Sequence, residues 1–325
     1  MNRRAFLNRS LTTLAATALP FPALAAFPER PIRLIVPFSP GGATDVVGRL
    51  WAERMKAKFG TVVTENKGGG GGVIGAAEVA RSAKNGETLL FGNTSTQVII
   101  PVIADKAPYN PVKDFQAIYI MAISPTSIVV HESVPVKTLK ELIAYSKANP
   151  GKLSYGSAGA GTLTNLAGEI FKDLIGAPDI THIPYKGAAP GVTDLSAGHI
   201  PMMTPNVGGP LLQFHNTGKI RILAINATKR LKAAPDIPTA VEAGLPGMIA
   251  ANFNGLFAPA GVPNDIIKAL ADETRVAMAD EALQKAMIDS GFEPVTDSGP
   301  EKAQAEVAAE YERLGPIIKK IGFKV

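Results

Sequence analysis

The sequence contains no cysteine and only four histidines among its 325 residues. Without cysteine the chain can form no disulfide, no thiolate nucleophile, no cysteine-ligated metal site and no lipid anchor on a cysteine. The histidines include no pair at the i, i+4 spacing of a helical metal site, and we interpret them as structural or surface residues: His131, His182, His199 and His215. No metal or cofactor is therefore predicted.

Excess charge of one sign is also nearly absent once the first 25 residues are set aside. The whole chain has 33 basic and 28 acidic residues, for a net charge of +5. Arg3, Arg4 and Arg9 belong to the leading segment, which carries no acid, so 30 basic residues face 28 acidic ones in the remainder. The electrostatic argument for a nucleic-acid partner is thereby lost.

The first 25 residues have the pattern of an export signal. Met1–Arg9 is basic, Leu11–Leu24 is apolar, and Ala23–Ala25 is a small-x-small cleavage site. The apolar part is too short to span a membrane. Arg3 and Arg4 resemble a twin-arginine signal. We expect export to the periplasm, with the twin-arginine route as a candidate pathway, and cleavage near Ala25.

Strand-like and helix-like segments alternate along the rest of the chain, which predicts an α/β fold with parallel sheets covered by helices. The predicted strands are Ile32–Val36, Val62–Glu65, Thr88–Gly92, Ala117–Met121, Ser127–His131, Lys152–Tyr155, Thr181–Ile183, Ile200–Thr204 and Ile220–Asn226. The predicted helices are Asp45–Phe59, Val73–Ser82, Leu139–Asn149, Leu163–Ile175, Pro190–Ala197, Pro210–Asn216, Asn264–Ala279, Glu281–Ser290 and Pro300–Ile321. The last hundred residues are predicted to be helical packing.

Two glycine-rich turns each join a strand to a helix. The first, Pro37–Asp45, contains Gly41 and Gly42 and offers Thr44 as a helix N-cap. The second, Gly156–Thr162, offers Thr162 in the same role. Free amide groups at such helix starts favour an anion, although each turn alone is equally well explained as a plain connection. Two such turns, one in each half, predict a shared ligand site at the carboxyl ends of the strands.

The chain is predicted to leave one domain and return to it. Residues 117–131 and 221–228 are the two candidate crossings. This divides the chain into a discontinuous domain, residues 27–125 plus 227–325, and an inserted domain, residues 126–226. Two crossings form a hinge that can close around a ligand.

The usual catalytic motifs are missing from the sequence. Gly70, Gly72 and Gly75 match G-x-G-x-x-G, but a close backbone approach or a flexible turn explains the Gly68–Gly72 run better than a dinucleotide does. No P-loop occurs, and Ser157 lacks the G-x-S-x-G frame of a hydrolase. No carboxylate pair lies in a glycine-rich turn. We therefore predict no catalytic residue and no enzymatic activity.

Neutral hydrogen-bond donors remain, and these suit a carboxylate held by dipoles. They are Ser39, Thr44, Thr94, Ser95, Thr96, Ser157, Thr162 and Asn165. Charged Lys186 and neutral Asn206, at later strand ends, could add to this set. Each hydroxyl could instead serve only as a cap or a turn hydrogen bond.

Six segments of the chain resemble the substrate-binding proteins of tripartite tricarboxylate transporters, the Bug family. Those segments are Val36–Asp45, Glu65–Lys67, Tyr155–Ser157 with Gly161–Thr162, Pro184–Gly187, Pro235–Thr239 and Gly255–Gly261. The resemblance implies a periplasmic binding protein with two doubly wound α/β domains, two crossover strands and a ligand cleft between the domains. It also implies capture of a small carboxylate, by backbone amides and waters, for transporter components of the same type.

From the residues and the resemblance together we predict a monomer with thirteen ligand-binding residues. They are Phe38, Ser39, Gly41, Gly42, Thr44, Asp45, Thr94, Ser157, Gly161, Thr162, Asn165, Lys186 and Asn206. The chain departs from the family pattern at Asn165, where the family often has histidine, and at Pro201 and Thr204–Asn206, where it often has aspartate nearby.

These departures leave the ligand's identity open, and the apolar surroundings of Phe38 admit an aliphatic or aromatic dicarboxylate. Two other functions also remain open. One is an exported α/β enzyme acting on small acids, and the other is a ligand-sensing partner of a signalling receptor.

Overall fold

The computed structural model describes residues 27–104 and 107–324, and the predicted export signal lies outside this part of the chain. The first third contains β1 (Ile32–Val36), α1 (Ala43–Phe59), β2 (Val62–Asn66), α2 (Val73–Ala80), β3 (Thr88–Asn93), α3 (Ile100–Ile103) and β4 (Phe115–Pro125). The middle contains β5 (Ser127–His131), α4 (Leu139–Ala148), β6 (Ser154–Ser157), α5 (Leu163–Ile175), β7 (Thr181–Pro184), α6 (Ala188–Ser196), β8 (Met202–Met203), α7 (Gly209–Asn216) and β9 (Ile220–Ile225). The last part contains β10 (Ala251–Pro259), α8 (Asn264–Met278), α9 (Glu281–Asp289), β11 (Glu293–Pro294) and α10 (Pro300–Lys320).

The first sheet has the strand order β11-β4-β10-β3-β1-β2. β1 pairs in parallel with β2 and β3, whereas β10 is antiparallel to both β3 and β4. The prediction that the C-terminal hundred residues are helical packing is wrong at β10, which lies inside this sheet. The polar Asn252 and Asn254 and the small Gly255 hide the strand pattern, because their partners come from other elements.

The second sheet has the order β7-β6-β8-β5-β9. β6 is parallel to β7 and β8, and β5 is antiparallel to β8 and β9. The predicted α/β class with two doubly wound halves is confirmed, but the prediction of parallel sheets is wrong, since both sheets are mixed. Among the described helices, none is long and apolar enough to cross a membrane.

The two sheets are joined by backbone that passes between them twice. β4 leads into β5 through Thr126, whose amide donates to the Ala250 carbonyl at 2.8 Å and whose carbonyl accepts from the Asn226 amide at 2.8 Å. The Ala250 amide donates in turn to the Asn226 carbonyl at 3.0 Å. These three bonds tie the crossings together at one point, as a hinge requires.

Residues 227–250 pack with the second sheet. Leu231, Ala234 and Ile237 share a buried apolar cluster with Val129 and Ile222 of that sheet. The return to the first sheet begins only at β10. The boundary between residues 226 and 227 stays a prediction. We propose that the chain instead returns to the first domain near residue 250.

Helix α1 is held firmly against the first sheet, which fixes the position of its N-terminus. Val47, Trp51 and Met55 recur at helical spacing and are fully buried. The Trp51 indole Nε1 also donates to Thr274 Oγ1 of α8 at 2.9 Å. Each buried apolar side chain contributes about 2 kcal/mol to stability.

Candidate functional site

A cleft lies where the loops after β1, β2 and β3 face the loops after β6 and β7. Its outer chamber has a volume of about 240 Å³ and is lined by Phe38, Gly69–Gly72, Ala158–Ala160 and Pro184–Lys186. Its inner chamber is a narrow space of about 20 Å³ lined by Phe38, Gly42, Ala43, Thr44, Asn93, Ser95, Ala158, Thr162, Thr164, Ala188 and Asn206. Phe38 and Ala158 line both chambers, which are therefore adjacent. These dimensions suit a small metabolite better than a drug-sized molecule.

Three helices begin at the inner chamber. The N-caps of α1, α5 and α6 are Gly42, Thr162 and Gly187. The predicted capping role of Thr162 is confirmed, because its hydroxyl accepts from the Asn165 amide at 3.2 Å. Each helix start carries partial positive charge and unpaired amide groups. Their convergence favours an anion in the cleft.

The prediction that Thr44 caps α1 is wrong. Its hydroxyl donates to Asn254 Oδ1 at 2.9 Å and accepts from Asn93 Nδ2 at 3.0 Å. Both asparagines are buried, and Asn254 comes from the strand that the sequence analysis missed. Asn93 was missed as well, although its place at the end of β3, before Thr94–Thr96, was an available signal. The network holds Thr44 at the wall of the inner chamber.

Asp45 and Gly41 serve the first turn instead of lining the cleft. The buried Asp45 carboxylate accepts from the Gly41 amide at 2.8 Å, from Arg49 Nε at 2.9 Å and from Asn66 Nδ2 at 2.8 Å. Asn66 Nδ2 also donates to the Phe38 carbonyl at 3.0 Å. These bonds fix the backbone that presents Phe38 and Gly42.

Ser157 and Gly161 of the second turn, and Asn165 of α5, line neither chamber. Ser157 Oγ is 2.7 Å from His182 Nε2 and also accepts from the Gly159 amide at 3.1 Å. Ser157 is fully buried and lines neither chamber, although an imidazole lies beside its hydroxyl. Asn165 Oδ1 accepts from the Gly161 amide at 3.1 Å. The three residues support the loop that lines the cleft.

Thr94 and Ser39 also lie outside the two linings. The Thr94 amide donates to Asn252 Oδ1 at 3.2 Å, and its hydroxyl accepts from the Phe253 amide at 3.0 Å. The Ser39 hydroxyl is buried without a hydrogen-bond partner in the described part of the chain. Six of the thirteen predicted residues line a chamber: Phe38, Gly42, Thr44, Thr162, Lys186 and Asn206. The binding roles of all thirteen stay predictions.

Glycines allow the two sides of the cleft to touch. A Cβ built on Gly71, which has φ +65°, would lie 2.5 Å from the Ala160 carbonyl oxygen on the opposite side. A Cβ on Gly187 would lie 2.0 Å from Ser39 Oγ. The Ser39 amide donates to the Lys186 carbonyl at 3.3 Å, and the Leu163 amide donates to Ser95 Oγ at 3.0 Å. The glycine run thus provides a close backbone approach, and the structure is that of a closed cleft.

The charge of the lining is positive and sparse. Lys186 is the one charged side chain that lines either chamber among residues 27–104 and 107–324. Burial, and then a 2.8 Å hydrogen bond to Asp194, raises the pKa of the neighbouring Tyr185 to about 12. Tyr185 therefore stays neutral, and the lining is suited to a carboxylate.

His182 bonds to Ser157 of the second turn, so protonation of this imidazole is expected to affect the stability of the protein. Burial lowers the pKa of His182, Lys172 lowers it further, and Glu169 opposes them. Because the folded state favours the neutral imidazole, its contribution to stability is complete above the usual pKa of about 6.5 and is lost as the pH falls. We expect His182→Gln to reduce the fall in melting temperature between about pH 7.5 and 5.

The matched control is the mostly exposed His199, whose replacement by glutamine should not flatten the pH profile. Melting curves recorded across the pH series for the two variants make the comparison. An equal slope for His182→Gln and the unmodified protein would contradict the assignment of His182 as a buried neutral group.

Comparison with known proteins gives a consistent result. The family model described as "Tripartite tricarboxylate transporter family receptor" matches residues 47–323.

Within the described part of the chain, no cluster of histidine, aspartate or glutamate could hold a metal ion.

Three solved structures are similar over nearly the whole chain. The periplasmic binding protein BugD is 33% identical, with a TM-score of 0.87 over 92% of this chain and 99% of that one. An R. palustris protein with adipate is 31% identical, with a TM-score of 0.87 and the same coverage. MatC from Rhodopseudomonas palustris, with bound malate, is 29% identical, with a TM-score of 0.85 over 90% of this chain and 100% of that one.

Proposed function

The chain belongs to the tripartite tricarboxylate transporter receptor family, and on this basis we propose that it is a periplasmic solute-binding protein for a small carboxylate. The observation that carries the proposal is the convergence of three helix N-termini on a cleft with no acidic side chain in its described lining. Fixed backbone dipoles bind a carboxylate without the desolvation cost of a buried ion pair. The bound acid would then be delivered to a membrane transporter of the same type.

The arrangement favours a dicarboxylate, aliphatic or aromatic. One carboxylate would lie at the helix starts near Gly42, Thr44 and Thr162, and the second would reach toward Lys186 in the outer chamber. Adipate and malate, which are present in two of the similar structures, both carry two carboxylates. The apolar ring of Phe38 between the chambers would contact the carbon chain.

Capture proceeds by closure, without chemical change of the ligand. The ligand contacts loops of both sheets only when the cleft is closed, and this difference in affinity shifts the protein toward the closed state. The buried Ser157 hydroxyl is held by the loop and offers no attack on the ligand. We expect the recovered ligand to be unchanged by NMR after prolonged incubation, and any product would favour the exported-enzyme alternative.

The role of Lys186 is tested by isothermal titration with paired acids, one dicarboxylate and the monocarboxylate of equal chain length, such as adipate and hexanoate. We expect Lys186→Met to weaken dicarboxylate binding by about 10-fold, the value of one exposed charge-assisted hydrogen bond, and to leave the monocarboxylate unaffected. The exposed Lys140, which lies in α4, gives a control substitution to methionine. Equal losses for both acids would show that Lys186 does not distinguish the second carboxylate.

The inner chamber is tested by filling it. Gly42 has φ −77°, and a Cβ there would meet no atom closer than 3.7 Å, so valine fits the backbone but occupies the chamber. We expect Gly42→Val to weaken carboxylate binding by at least about 30-fold, roughly 2 kcal/mol, through loss of the amide contacts. Titration calorimetry and a melting curve give the two readings, and the melting temperature should be nearly unchanged.

Gly208 supplies the matched control for this variant. It is the N-cap of α7, is also extended, and a Cβ there would have no neighbour within 4 Å. Gly208→Val should bind the carboxylate normally. Normal binding by Gly42→Val would place the ligand elsewhere.

A further inference from the structure

A second cavity lies beside the hinge. Its volume is about 450 Å³, larger than either chamber of the cleft, and it shares no lining residue with them. We call it the hinge cavity; it is lined by Ile123, Pro125, Ala227–Lys232, Ile249, Ala251 and Glu293. This volume falls in the usual range for small-molecule sites.

The hinge cavity combines an apolar floor with a basic rim. Ile123, Pro125, Leu231, Ile249 and Ala251 supply apolar surface. A carbon chain bound there would be removed from water at about 25 cal/mol for each Å² of apolar surface buried.

Three basic side chains face one acidic side chain around the rim: Lys229, Arg230 and Lys232 against Glu293. Arg230 already pairs with Glu242 at 3.0 Å. Lys229 and Lys232 are exposed, and neither has an acidic partner within 4 Å among the described residues. The rim is therefore suited to a molecule that carries negative charge at one end.

The position of this cavity links it to closure. The cleft loops follow β1 and β2 at one edge of the first sheet, and β6 and β7 at one edge of the second. The hinge cavity instead touches β11 and β4 at the other edge of the first sheet and the segment following β9, the other edge of the second. The crossing segments themselves line the hinge cavity, at Pro125, Ala227 and Ala251, so a rotation about the hinge changes the shape of this cavity.

We propose that the hinge cavity is a second binding site, for an amphipathic anion with a medium-length apolar part and one carboxylate or sulfonate. The apolar part contacts Leu231 and Ile249, and the anionic end lies at Lys229 and Lys232. Because the cavity has this volume when the cleft is closed, a molecule that fills it stabilises the closed arrangement. The existence of this second site does not depend on which ligand the cleft binds.

The test is a fluorescence titration of the mature protein with 1-anilinonaphthalene-8-sulfonate, with octanoate as the competitor. We expect saturable binding that octanoate displaces, weakening by about 10-fold or more in Lys229→Ala/Lys232→Ala. The charge-reversed pair Lys229→Glu/Lys232→Glu should abolish it. Both pairs change exposed side chains, and melting curves verify that the variants fold.

Gly42→Val, which changes only the cleft, distinguishes the two sites. Its binding of the fluorescent anion should equal that of the unmodified protein, whatever its affinity for carboxylates. Binding lost in Gly42→Val but kept in both lysine pairs would place the probe in the cleft and overturn the proposal. Absence of saturable binding to the unmodified protein would overturn it as well.

Coupling to closure is measured by small-angle X-ray scattering without any cleft ligand. Octanoate should reduce the radius of gyration of the unmodified protein and of Gly42→Val, whose cleft is filled, and leave that of Gly42→Val/Lys229→Glu/Lys232→Glu unchanged. An unchanged radius in the unmodified protein at saturating octanoate would overturn the coupling.

Discussion

Gly71→Ala should weaken carboxylate binding by about 100-fold while the protein stays folded. The added Cβ would lie 2.5 Å from the Ala160 carbonyl oxygen across the cleft and 3.1 Å from Ile100 Cδ1. Since the backbone carbonyl cannot turn aside as a flexible side chain can, the two sides must stay apart. The ligand then loses the donors of one side, about two or three hydrogen bonds of roughly 1 kcal/mol each. Titration calorimetry measures the loss.

Gly176 gives the matched control for backbone strain. It has φ +67°, close to the +65° of Gly71, but a Cβ there would meet no atom within 4 Å. Both alanine variants therefore carry a similar left-handed strain of about 1 kcal/mol. Only Gly71→Ala should lose affinity. Equal affinities for the two variants would show that the contact between Gly71 and Ala160 is not needed for binding.

Asp45→Ala should lower both stability and affinity. The buried carboxylate accepts from the Gly41 amide, Arg49 and the Asn66 amide group. Its removal leaves the Gly41 and Asn66 donors unsatisfied, which costs about 2–3 kcal/mol in unfolding free energy. The first turn then loses its fixed shape. We expect the carboxylate affinity to fall by about 10-fold or more, because part of the binding free energy is then spent on ordering the turn.

Asp280 is the comparison residue for this second prediction. It also accepts backbone amides at a helix start, those of Ala282 and Leu283, and pairs with an arginine, Arg54. Because Asp280 is partly exposed and lines neither chamber of the cleft, Asp280→Ala should cost less stability and leave affinity unchanged. Urea unfolding and titration of both variants make the comparison. An Asp45→Ala protein with full affinity would show that the turn does not need this support.

Much of the fold can be predicted from the sequence because the signals are local. β1 is a short β-branched run, and the bounds of α5 follow from Thr162 and the apolar spacing after it. The position of Gly176 after α5 ends that helix in the usual way. These features depend on neighbours a few residues apart, so no tertiary information is required.

β10 could not be predicted because its polar residues are satisfied by distant partners. Asn254 bonds to Thr44, 210 residues away, and Asn252 accepts from the Thr94 amide, 158 residues away. In isolation, two asparagines and a glycine argue against a buried strand. The antiparallel pairing of this strand with β3 and β4 is also the reason that the first sheet is mixed.

The candidate site was only partly predictable, for a related reason. A glycine-rich turn indicates where backbone approaches a ligand, and Gly42 and Thr162 do line the cleft. The direction of a polar side chain within such a turn depends on which side chains of other elements pack against it. Asp45 and Ser157 do not line the cleft, and their side chains instead bond to Asn66 and His182.

The most direct test of carboxylate binding is a thermal-shift screen of the mature protein against monocarboxylates and dicarboxylates, aliphatic and aromatic. A ligand that binds only the folded state raises the melting temperature, by about 2.7 kcal/mol of added stability at 100 times its dissociation constant. We predict a clear rise with at least one dicarboxylate and a smaller rise with the matching monocarboxylate. A screen in which no carboxylate changes the melting temperature would contradict the proposed function.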